Sequence, residues 1–331
     1  MGIPFLTSWW VPRRVSPRLS RWVPRRVSPR ISTILMIPLC LIWFSGCAGP
    51  ESEPETADAG GDQALVIADE VMEAMGGRDN WDATRYIRFS FFGFRTHYWD
   101  KHDGRYRLSW TDRESGQSHV ILMNLNTGEG QAFIDGAEVT DAEARSQALE
   151  RARGAWINDT YWLLMPYKLQ DPGVDLAYDG EEIVDGTVYD KLHLSFSEVG
   201  NTPGDEYWAY ISRETRLMDK WVYLLQLRDG QDERSRGEWK WNDWRRHGDI
   251  LLSAERERMD GQKRSHEDLA VLEFVDDRVF TSPDPVSPDM VREQTGQPDP
   301  GASESSGASE STGVPGATTQ PADTQPAEGS E

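Results

Sequence analysis

Short stretches in which apolar and polar side chains alternate fill the middle of the chain, and such alternation is typical of β-strands. They predict strands at 85–94, 95–101, 105–110, 117–125, 131–135, 174–181, 187–196, 206–212, 217–227, 236–244, 249–259 and 265–275. Turn sequences such as His102-Asp-Gly104 and Val184-Asp-Gly186 separate them. Since short turns join neighbouring strands, the pattern predicts a mainly β (α+β) fold, with a large curved antiparallel sheet or incomplete β-barrel of about eleven strands.

Two stretches have helical periodicity instead. The first ends at Gly76-Gly77, which can cap a helix. Its apolar residues share one face, and they are Leu65, Ala68, Met72 and Met75. The second, residues 141–164, is charged first and apolar later and ends before Pro166. We therefore expect an N-terminal helix and a mid-chain helical insertion, both packed on one side of the sheet.

The first 46 residues read as a signal peptide with a basic repeat. A segment that starts at Trp10 and is rich in Arg, Pro and Ser recurs almost unchanged from Trp22, ahead of an apolar run at 31–46. As a helix that run is about 24 Å long, short of a comfortable membrane span. The sequence Ser45-Gly-Cys47 after it resembles a bacterial lipobox, although Phe44 stands where Leu is usual. We expect acylation of Cys47, the alternative being an uncleaved anchor helix with an incidental thiol.

This leader sets the expected domain organisation and location. Residues 47–62 form the lipidated cysteine and an acidic tether, 63–280 the β domain, and 281–331 a disordered tail rich in Ser, Thr, Pro and Gly. The expected location is the bacterial cell envelope, lipid-anchored and facing the periplasm. Ala48 rather than Asp after the cysteine is compatible with the outer membrane where the host follows the enterobacterial sorting rule.

Charge and cysteine content exclude several functions. The chain of 331 residues has 35 Lys and Arg against 56 Asp and Glu, which argues against nucleic acid as a partner. Its two cysteines exclude a metal site built from several thiolates. If Cys40 leaves with the leader, the mature chain has no disulfide.

Candidate chemistry is sparse. Three histidines lie near Asp100 and Asp103 in the sequence, but they lack a metal-site spacing and a surface turn explains them equally well: His97, His102 and His119. No nucleophile elbow, phosphate-binding loop or dinucleotide motif is present, so we predict no catalytic residue, no metal and no cofactor. Acid pairs such as Glu181-Glu182 and Asp276-Asp277 leave a glycan-acting enzyme as a third alternative.

Aromatic residues are the unusual feature of the β domain. In the 89–94 stretch apolar side chains occupy both faces of a strand, which indicates either a fully buried strand or one that lines an apolar cavity. An ordinary core, a ligand cavity and an exposed sugar-stacking platform are the three readings. Candidate cavity residues are Phe89, Phe91, Trp99, Trp110, Trp162, Trp208, Trp221, Trp239 and Trp241. Lys168 and Asp171 follow Pro166 and are candidate polar groups at a cavity mouth, on a segment that is either a flap or a helix packed on the sheet.

Several motifs in this domain resemble known proteins. They are the 161–174 segment Tyr-Trp-Leu-Leu-Met-Pro-Tyr-Lys-Leu-Gln-Asp-Pro-Gly-Val, then Asp185-Gly, Tyr189-Asp, and Pro203-Gly-Asp-Glu-Tyr-Trp. With the lipobox-like leader and the Met-Gly-Gly helix end, residues 63–280 resemble the LolA/LolB-like group of envelope proteins, and most closely an uncharacterised family of Gram-negative lipoproteins. The resemblance implies an incomplete antiparallel barrel wrapped over helices, with an apolar cavity for acyl chains.

Together these features favour a non-enzymatic lipoprotein that binds a lipid or another hydrophobic ligand in a half-barrel. Its expected partners are the membrane, through acylated Cys47, and a lipid or the acyl chain of a lipoprotein. The alternative from another class is a non-catalytic scaffold for protein or peptidoglycan contacts. The sequence identifies no protein partner.

Overall fold

The chain is described by a computed structural model that covers residues 59–197, 202, 204–227 and 231–296. The described residues belong to one compact unit. The predicted leader, Cys47 and most of the predicted tether lie outside these residues, as does the tail after residue 296.

The described part is mainly β, as the alternation predicts. In chain order the strands are β1 (Tyr86–Phe91), β2 (Arg95–Asp100), β3 (Arg105–Thr111), β4 (Ser118–Asn124), β5 (Gly130–Ile134), β6 (Ala137–Glu138), β7 (Val174–Val184), β8 (Thr187–Phe196), β9 (Glu206–Ser212), β10 (Met218–Leu224), β11 (Arg236–His247), β12 (Ile250–Arg258), β13 (Lys263–Ser265), β14 (Glu267–Val275) and β15 (Val291–Glu293). The three strands that were not predicted, β6, β13 and β15, have two or three residues each, too few to show alternation.

The strands form two antiparallel sheets. Sheet A has eight strands in the order β15-β14-β1-β2-β3-β4-β5-β6, and sheet B has seven in the order β13-β12-β11-β10-β9-β8-β7. The chain passes from one sheet to the other at His266, between β13 and β14. In the described part of the chain β6 and β7 each end a sheet without pairing to each other, so the barrel is open as predicted.

Four helices accompany the sheets: α1 (Ala59–Ala74), α2 (Arg78–Ala83), α3 (Ala142–Leu164) and α4 (Arg278–Thr281). The predicted caps of α1 are present, because the amides of Gly76 and Gly77 donate to the carbonyls of Glu73 and Met72. A side chain at Gly76 would be strained at its φ of +119° and would meet the Asp249 carbonyl. No helix among the described residues has both the length and the hydropathy that a membrane crossing needs.

α3 links the two free sheet edges, since it lies between β6 and β7 in the chain. It begins where the Asp141 carboxylate accepts from the amide of Ala144 at 2.8 Å. Its last turn passes into a 3₁₀ helix, Met165–Lys168, where Pro166 has no amide hydrogen to continue the α-helical bonding.

One hydrophobic core joins both sheets to both long helices. It contains Ile87 and Tyr106 from sheet A and Leu252 from sheet B, with Val71 of α1 and Leu163 of α3. The two sheets therefore wrap around α1 and α3 as a half-barrel. We call the sheet faces that contact these helices the inner faces.

A second core covers the outer face of sheet A. Phe280 of α4 packs there, and Met290 and Val291 lie against the same cluster. Arg107, only 2% exposed, donates from this face to the carbonyls of Ser282 and Asp284 at 2.7 and 2.8 Å. The predicted start of a disordered tail at residue 281 is therefore too early. The apolar contacts of the second core and the hydrogen bonds of Arg107 both hold the chain after residue 281 on sheet A.

Arg107→Met tests this anchoring. Hydrogen bonds that involve a charged group are worth about 1.5–3 kcal/mol each, so losing them is expected to raise amide exchange in residues 278–293 by about tenfold or more. Hydrogen–deuterium exchange on the purified chain measures this, with Arg151→Met at an exposed position of α3 as the control. Unchanged exchange in 278–293 would show that the apolar contacts alone hold the segment.

Candidate functional site

The inner face of sheet B carries a continuous layer of aromatic side chains, which we call the aromatic layer. On neighbouring strands Trp221 is paired with Trp239, and Gly237 opposite Tyr223 leaves space for that ring against β11. Ring centroids of contacting members lie 4.7–6.4 Å apart, the range that aromatic pairs prefer. Its members are Tyr161, Trp162, Phe196, Tyr207, Trp221, Tyr223, Trp239, Trp241 and Trp244.

α3 completes this layer with its last turn. Trp162 packs edge-on against Trp221 and Trp239, with ring centroids 4.7 and 5.3 Å away. Tyr161 contacts Tyr207 at 5.3 Å. The apolar second half of α3, recognised in the sequence, is thus the part that faces sheet B.

The carbonyl of Trp162 binds a buried arginine. Pro166 stands four residues on, so this carbonyl has no helical amide to accept from. Arg256 of β12 donates to it from Nε and Nη2 at 3.0 and 2.6 Å, and His266 Nε2 lies 3.3 Å away. The Arg256 side chain is fully buried, and its guanidinium lies 3.4 Å from the centroid of Trp241. Burial holds its pKa well below the ordinary value, because desolvation disfavours the charged form.

Four buried polar atoms of the aromatic layer have no hydrogen-bond partner among the described residues. They are the Nε1 atoms of Trp221, Trp241 and Trp244 and the hydroxyl of Tyr161. Burial raises the pKa of Tyr161, so its hydroxyl stays a neutral donor. Each buried donor left unsatisfied costs about 1–3 kcal/mol. The layer therefore presents several donors and no matching acceptor.

On the side of sheet A, α3 is fixed by a buried acid. Asp159 is fully buried, and its Oδ1 accepts from Arg95 Nη2 at 2.7 Å. His97 Nε2 lies 2.9 Å from Asp159 Oδ2, and the Tyr106 hydroxyl lies 2.8 Å from His97 Nδ1. Burial alone would raise the pKa of Asp159, but the contacts with His97 and Arg95 outweigh it and lower that pKa. Burial lowers the pKa of His97, which favours its neutral ring.

The structure divides the nine predicted cavity residues into three groups. Four belong to the aromatic layer: Trp162, Trp221, Trp239 and Trp241. Four lie on or beside the inner face of sheet A, where Phe89 stacks on His97, Phe91 packs on Phe92, Trp99 meets Trp156 of α3, and Trp110 stacks on His119. Each of these eight rings packs against another aromatic side chain.

Trp208 was placed in the cavity wrongly. It is paired with Val222, whereas its neighbour Ala209 is paired with Trp221. Because successive residues of a strand point to opposite faces, Trp208 lies on the outer face of sheet B, where it contacts His193 at 5.0 Å. Strand register, which the sequence does not fix here, decides this placement.

Lys168 and Asp171 form an ion pair with each other, 2.8 Å between Nζ and Oδ2. The segment that carries them is packed, because the Tyr167 hydroxyl donates to the carbonyls of Met75 and Leu251 at 3.0 and 2.8 Å. Gln170 also donates to the Leu65 carbonyl of α1. Of the two readings of this segment, these contacts match a packed helix rather than a flap.

The three histidines near Asp100 are not brought together. His97 is buried against Asp159, His102 lies 2.9 Å from the Asp82 carbonyl, and His119 stacks on Trp110. Asp100 itself is held by Arg105 at 2.7 Å. Within residues 59–296, excluding the undescribed gaps, no group of three His, Cys, Asp or Glu side chains could hold a metal ion.

Two surface cavities lie away from the aromatic layer. One of about 520 Å³ runs along α1 between Glu70, Glu73 and Arg216. The other, about 230 Å³, lies between His247 at the end of β11 and Gln294 after β15. Both have charged side chains in their walls, and neither is lined by a member of the aromatic layer.

Two central residues of the site were missed from the sequence, Asp159 and Arg256. Each had a signal. Asp159 is an acid within the apolar half of a predicted helix, and Arg256 alternates with Leu252 and so shares its inward face. A charged residue on an apolar face is the pattern that marks both.

Comparison with solved structures finds matches of low similarity. The chain is similar to a LolA superfamily protein from Nitrosomonas europaea, at 10% identity over 66% of this chain and 97% of that one, with a TM-score of 0.37. It is also similar to a DUF1329 family protein from Desulfovibrio piger, at 12% identity over 66% of this chain and 96% of that one, with a TM-score of 0.35. The lipoprotein LppX of Mycobacterium tuberculosis is 12% identical over 50% of this chain and 88% of that one, with a TM-score of 0.23.

No protein-family model matches the chain, and no curated protein sequence matches it. At these TM-scores and identities the likeness says nothing about function, which has to be derived from the side chains of this chain.

Asp159→Asn is expected to destabilise the fold strongly. It leaves the charge of Arg95 without its buried partner, and breaking a buried ion pair in this way costs about 3–5 kcal/mol. Asp171→Asn is the matched control, because its ion pair with Lys168 is partly exposed and such pairs contribute about 0–1 kcal/mol. Urea denaturation of both variants measures the difference; equal midpoints would show that the Asp159 network does not hold α3.

The fold is expected to lose stability as the pH falls below about 6.5, the pKa of an unfolded histidine. Burial lowers the pKa of His97, His247 and His266, so below that pH the unfolded chain binds protons that the folded chain does not. The free energy of unfolding then falls by about 1.4 kcal/mol per pH unit for each such histidine, until the lowered pKa is reached. The lowered pKa of Asp159 acts only below about pH 3.9, outside this window.

Urea denaturation between pH 7.5 and 5.5 measures this dependence. His266→Phe is expected to reduce the slope, whereas His102→Gln, at an exposed position, leaves it unchanged. A slope that is the same in all three proteins would contradict the assignment to buried histidines.

Proposed function

We propose that this chain is a non-catalytic, membrane-anchored envelope lipoprotein that binds a lipid, or another hydrophobic ligand with an acyl chain, between α3 and the inner face of sheet B. The observation that carries the proposal is the aromatic layer with its four unpartnered donors. An apolar wall with a few convergent polar groups is the usual form of a small-molecule site. The ester carbonyls of a lipid would supply the hydrogen-bond acceptors that these donors lack.

A ligand can exchange the ring contacts of α3 for its own contacts with the layer. Trp162 and Tyr161 of α3 now cover the layer, and a ligand would take their place against Trp221 and Trp239. Each buried methylene contributes about 0.8 kcal/mol, so an acyl chain can replace the burial that α3 gives up. The open edge between β6 and β7, which α3 spans, is where the half-barrel can widen without breaking a ladder of strand pairs.

Anchoring through Cys47 fits this role. Acyl chains on that cysteine would hold the domain beside a membrane, facing the periplasm and, given Ala48, at the outer membrane. A binding domain tethered there has its ligand in the adjacent lipid layer. Handling of envelope lipids or lipoproteins is therefore the proposed process.

The test is quenching of tryptophan fluorescence by a monoacylglycerol with a brominated acyl chain. The protein is the mature chain, residues 47–331 with Cys47→Ser, exported behind a cleavable signal. Saturable quenching is expected, because bromine quenches tryptophan only on contact and the layer holds four tryptophans besides Trp162. Trp239→Phe is expected to lower the quenched fraction, because it removes a tryptophan of sheet B that the bound acyl chain contacts.

Trp208→Phe is the matched control, since Trp208 lies on the opposite face of the same sheet. It should leave the quenched fraction nearly unchanged. Absence of saturable quenching from a folded protein would count against lipid binding. Crosslinking to one protein partner would then favour the scaffold alternative.

A further inference from the structure

Three arginines share the face of the aromatic layer at one end of the half-barrel. In β12, Arg256 is paired with Trp241 and Arg258 with Trp239, and Arg264 of β13 is opposite Arg256. Directly paired residues lie on the same face of a sheet, and so do residues two apart in one strand. All three cations therefore point inward beside the layer.

These arginines have little negative charge near them. The described partners of Arg256 are carbonyls, the Ser253 hydroxyl and the ring of Trp241. Arg264 lies 5.9 Å from the ring centroids of both Phe92 and Trp239, and among the described residues it has no carboxylate partner. Arg258 contacts Asp260 at 3.3 Å, but both side chains are about half exposed, so the pair is weak. The cluster thus carries a positive field in a chain whose net charge is −21.

Apolar side chains surround the same end. Phe92, in the turn between β1 and β2, stacks on His266 at 4.8 Å and meets Trp162 edge-on at 5.7 Å. Its φ of +50° is a conformation that aromatic residues rarely adopt, so the turn holds this ring in place over Trp162 at some cost. Phe94, in the same turn as Phe92, is 36% exposed, and Met259, in the turn between β12 and β13, is 58% exposed. Cations and exposed apolar groups therefore meet at one rim.

We propose that Arg258 and Arg264 bind the phosphate of an anionic glycerophospholipid whose acyl chains pass Phe92 into the aromatic layer. This rests on the proposed function and names its ligand class. A guanidinium donates to phosphate oxygens in a fixed, two-pronged geometry, and the hydrogen bonds are charge-assisted. Arg256, already committed to the Trp162 carbonyl, adds to the positive field behind them.

The chemistry fits a lipid better than a free anion. A small anion in solution would be bound by Arg258 and Arg264 alone, against the repulsion of the chain's net charge. A phospholipid also buries its acyl chains in the adjacent layer, where each methylene contributes to binding. The headgroup then remains at the rim, beside exposed Phe94 and Met259.

The experiment compares two brominated lipids with the same acyl chains, phosphatidylglycerol and diacylglycerol, each at the same mole fraction in unbrominated phosphatidylcholine vesicles. Tryptophan quenching of the mature Cys47→Ser chain reports binding. Phosphatidylglycerol is expected to bind about tenfold more tightly than diacylglycerol, as two charge-assisted hydrogen bonds allow. The double variant Arg258→Gln/Arg264→Gln should bind both lipids alike, at the diacylglycerol level.

Arg245→Gln is the matched control, because the Arg245 side chain is 70% exposed and lies about 20 Å along β11 from Trp239. It should keep the preference for phosphatidylglycerol. Equal binding of both lipids by the parent chain, or a preference that survives the double variant, overturns the headgroup assignment and leaves the proposed function standing. No quenching by either lipid overturns both. If inorganic phosphate at the lipid's concentration removes the preference, the rim is a site for free phosphate and the lipid assignment is wrong.

Discussion

The carbonyl of Trp162 is the point on which the interior depends. Pro166 denies it a helical donor, and a carbonyl left unpaired in an apolar interior is costly, so the fold supplies Arg256 from sheet B. Arg256 in turn needs this carbonyl, because it is fully buried and none of the described carboxylates is its partner. With Asp159 bound to sheet A, α3 is tied to both sheets by polar contacts only a few residues apart. The aromatic layer is covered because these ties position the last turn of α3.

Much of the fold could be predicted from the sequence, because its two periodicities are clear. The helix predicted over 141–164 is α3, which begins one residue later, and the predicted turn at 184–186 joins β7 to β8. The predictions that failed concern the short strands and the end of the ordered chain. A strand of three residues, such as β15, has no periodicity to detect, and its stability comes from docking on β14 rather than from its own composition. For the same reason the ordered chain continues past residue 280.

The candidate site was harder to predict, because residue type does not fix register. Aromatic residues were a good guide to the layer, and Trp162, Trp221, Trp239 and Trp241 do lie in it. Trp208 is also a tryptophan on a strand of sheet B, but it occupies one of the alternate positions of β9 that point to the outer face. The arginines of β12 and β13 look like surface residues in a charged stretch of sequence. Only the pairing of Arg258 with Trp239 shows that they face inward.

The position of β14 has a consequence for how the chain is made. β14 is the neighbour of β1, and Arg88 in β1 donates to the carbonyl of Asp268, 180 residues further on. A chain that has emerged only as far as β12 has an unpaired β1 edge, and exposed edges recruit other strands. Sheet A is therefore completed last, by the segment that follows sheet B, and such long-range pairing is slow. β1, the first strand to be made, pairs early with β2 and therefore waits longest for its second partner.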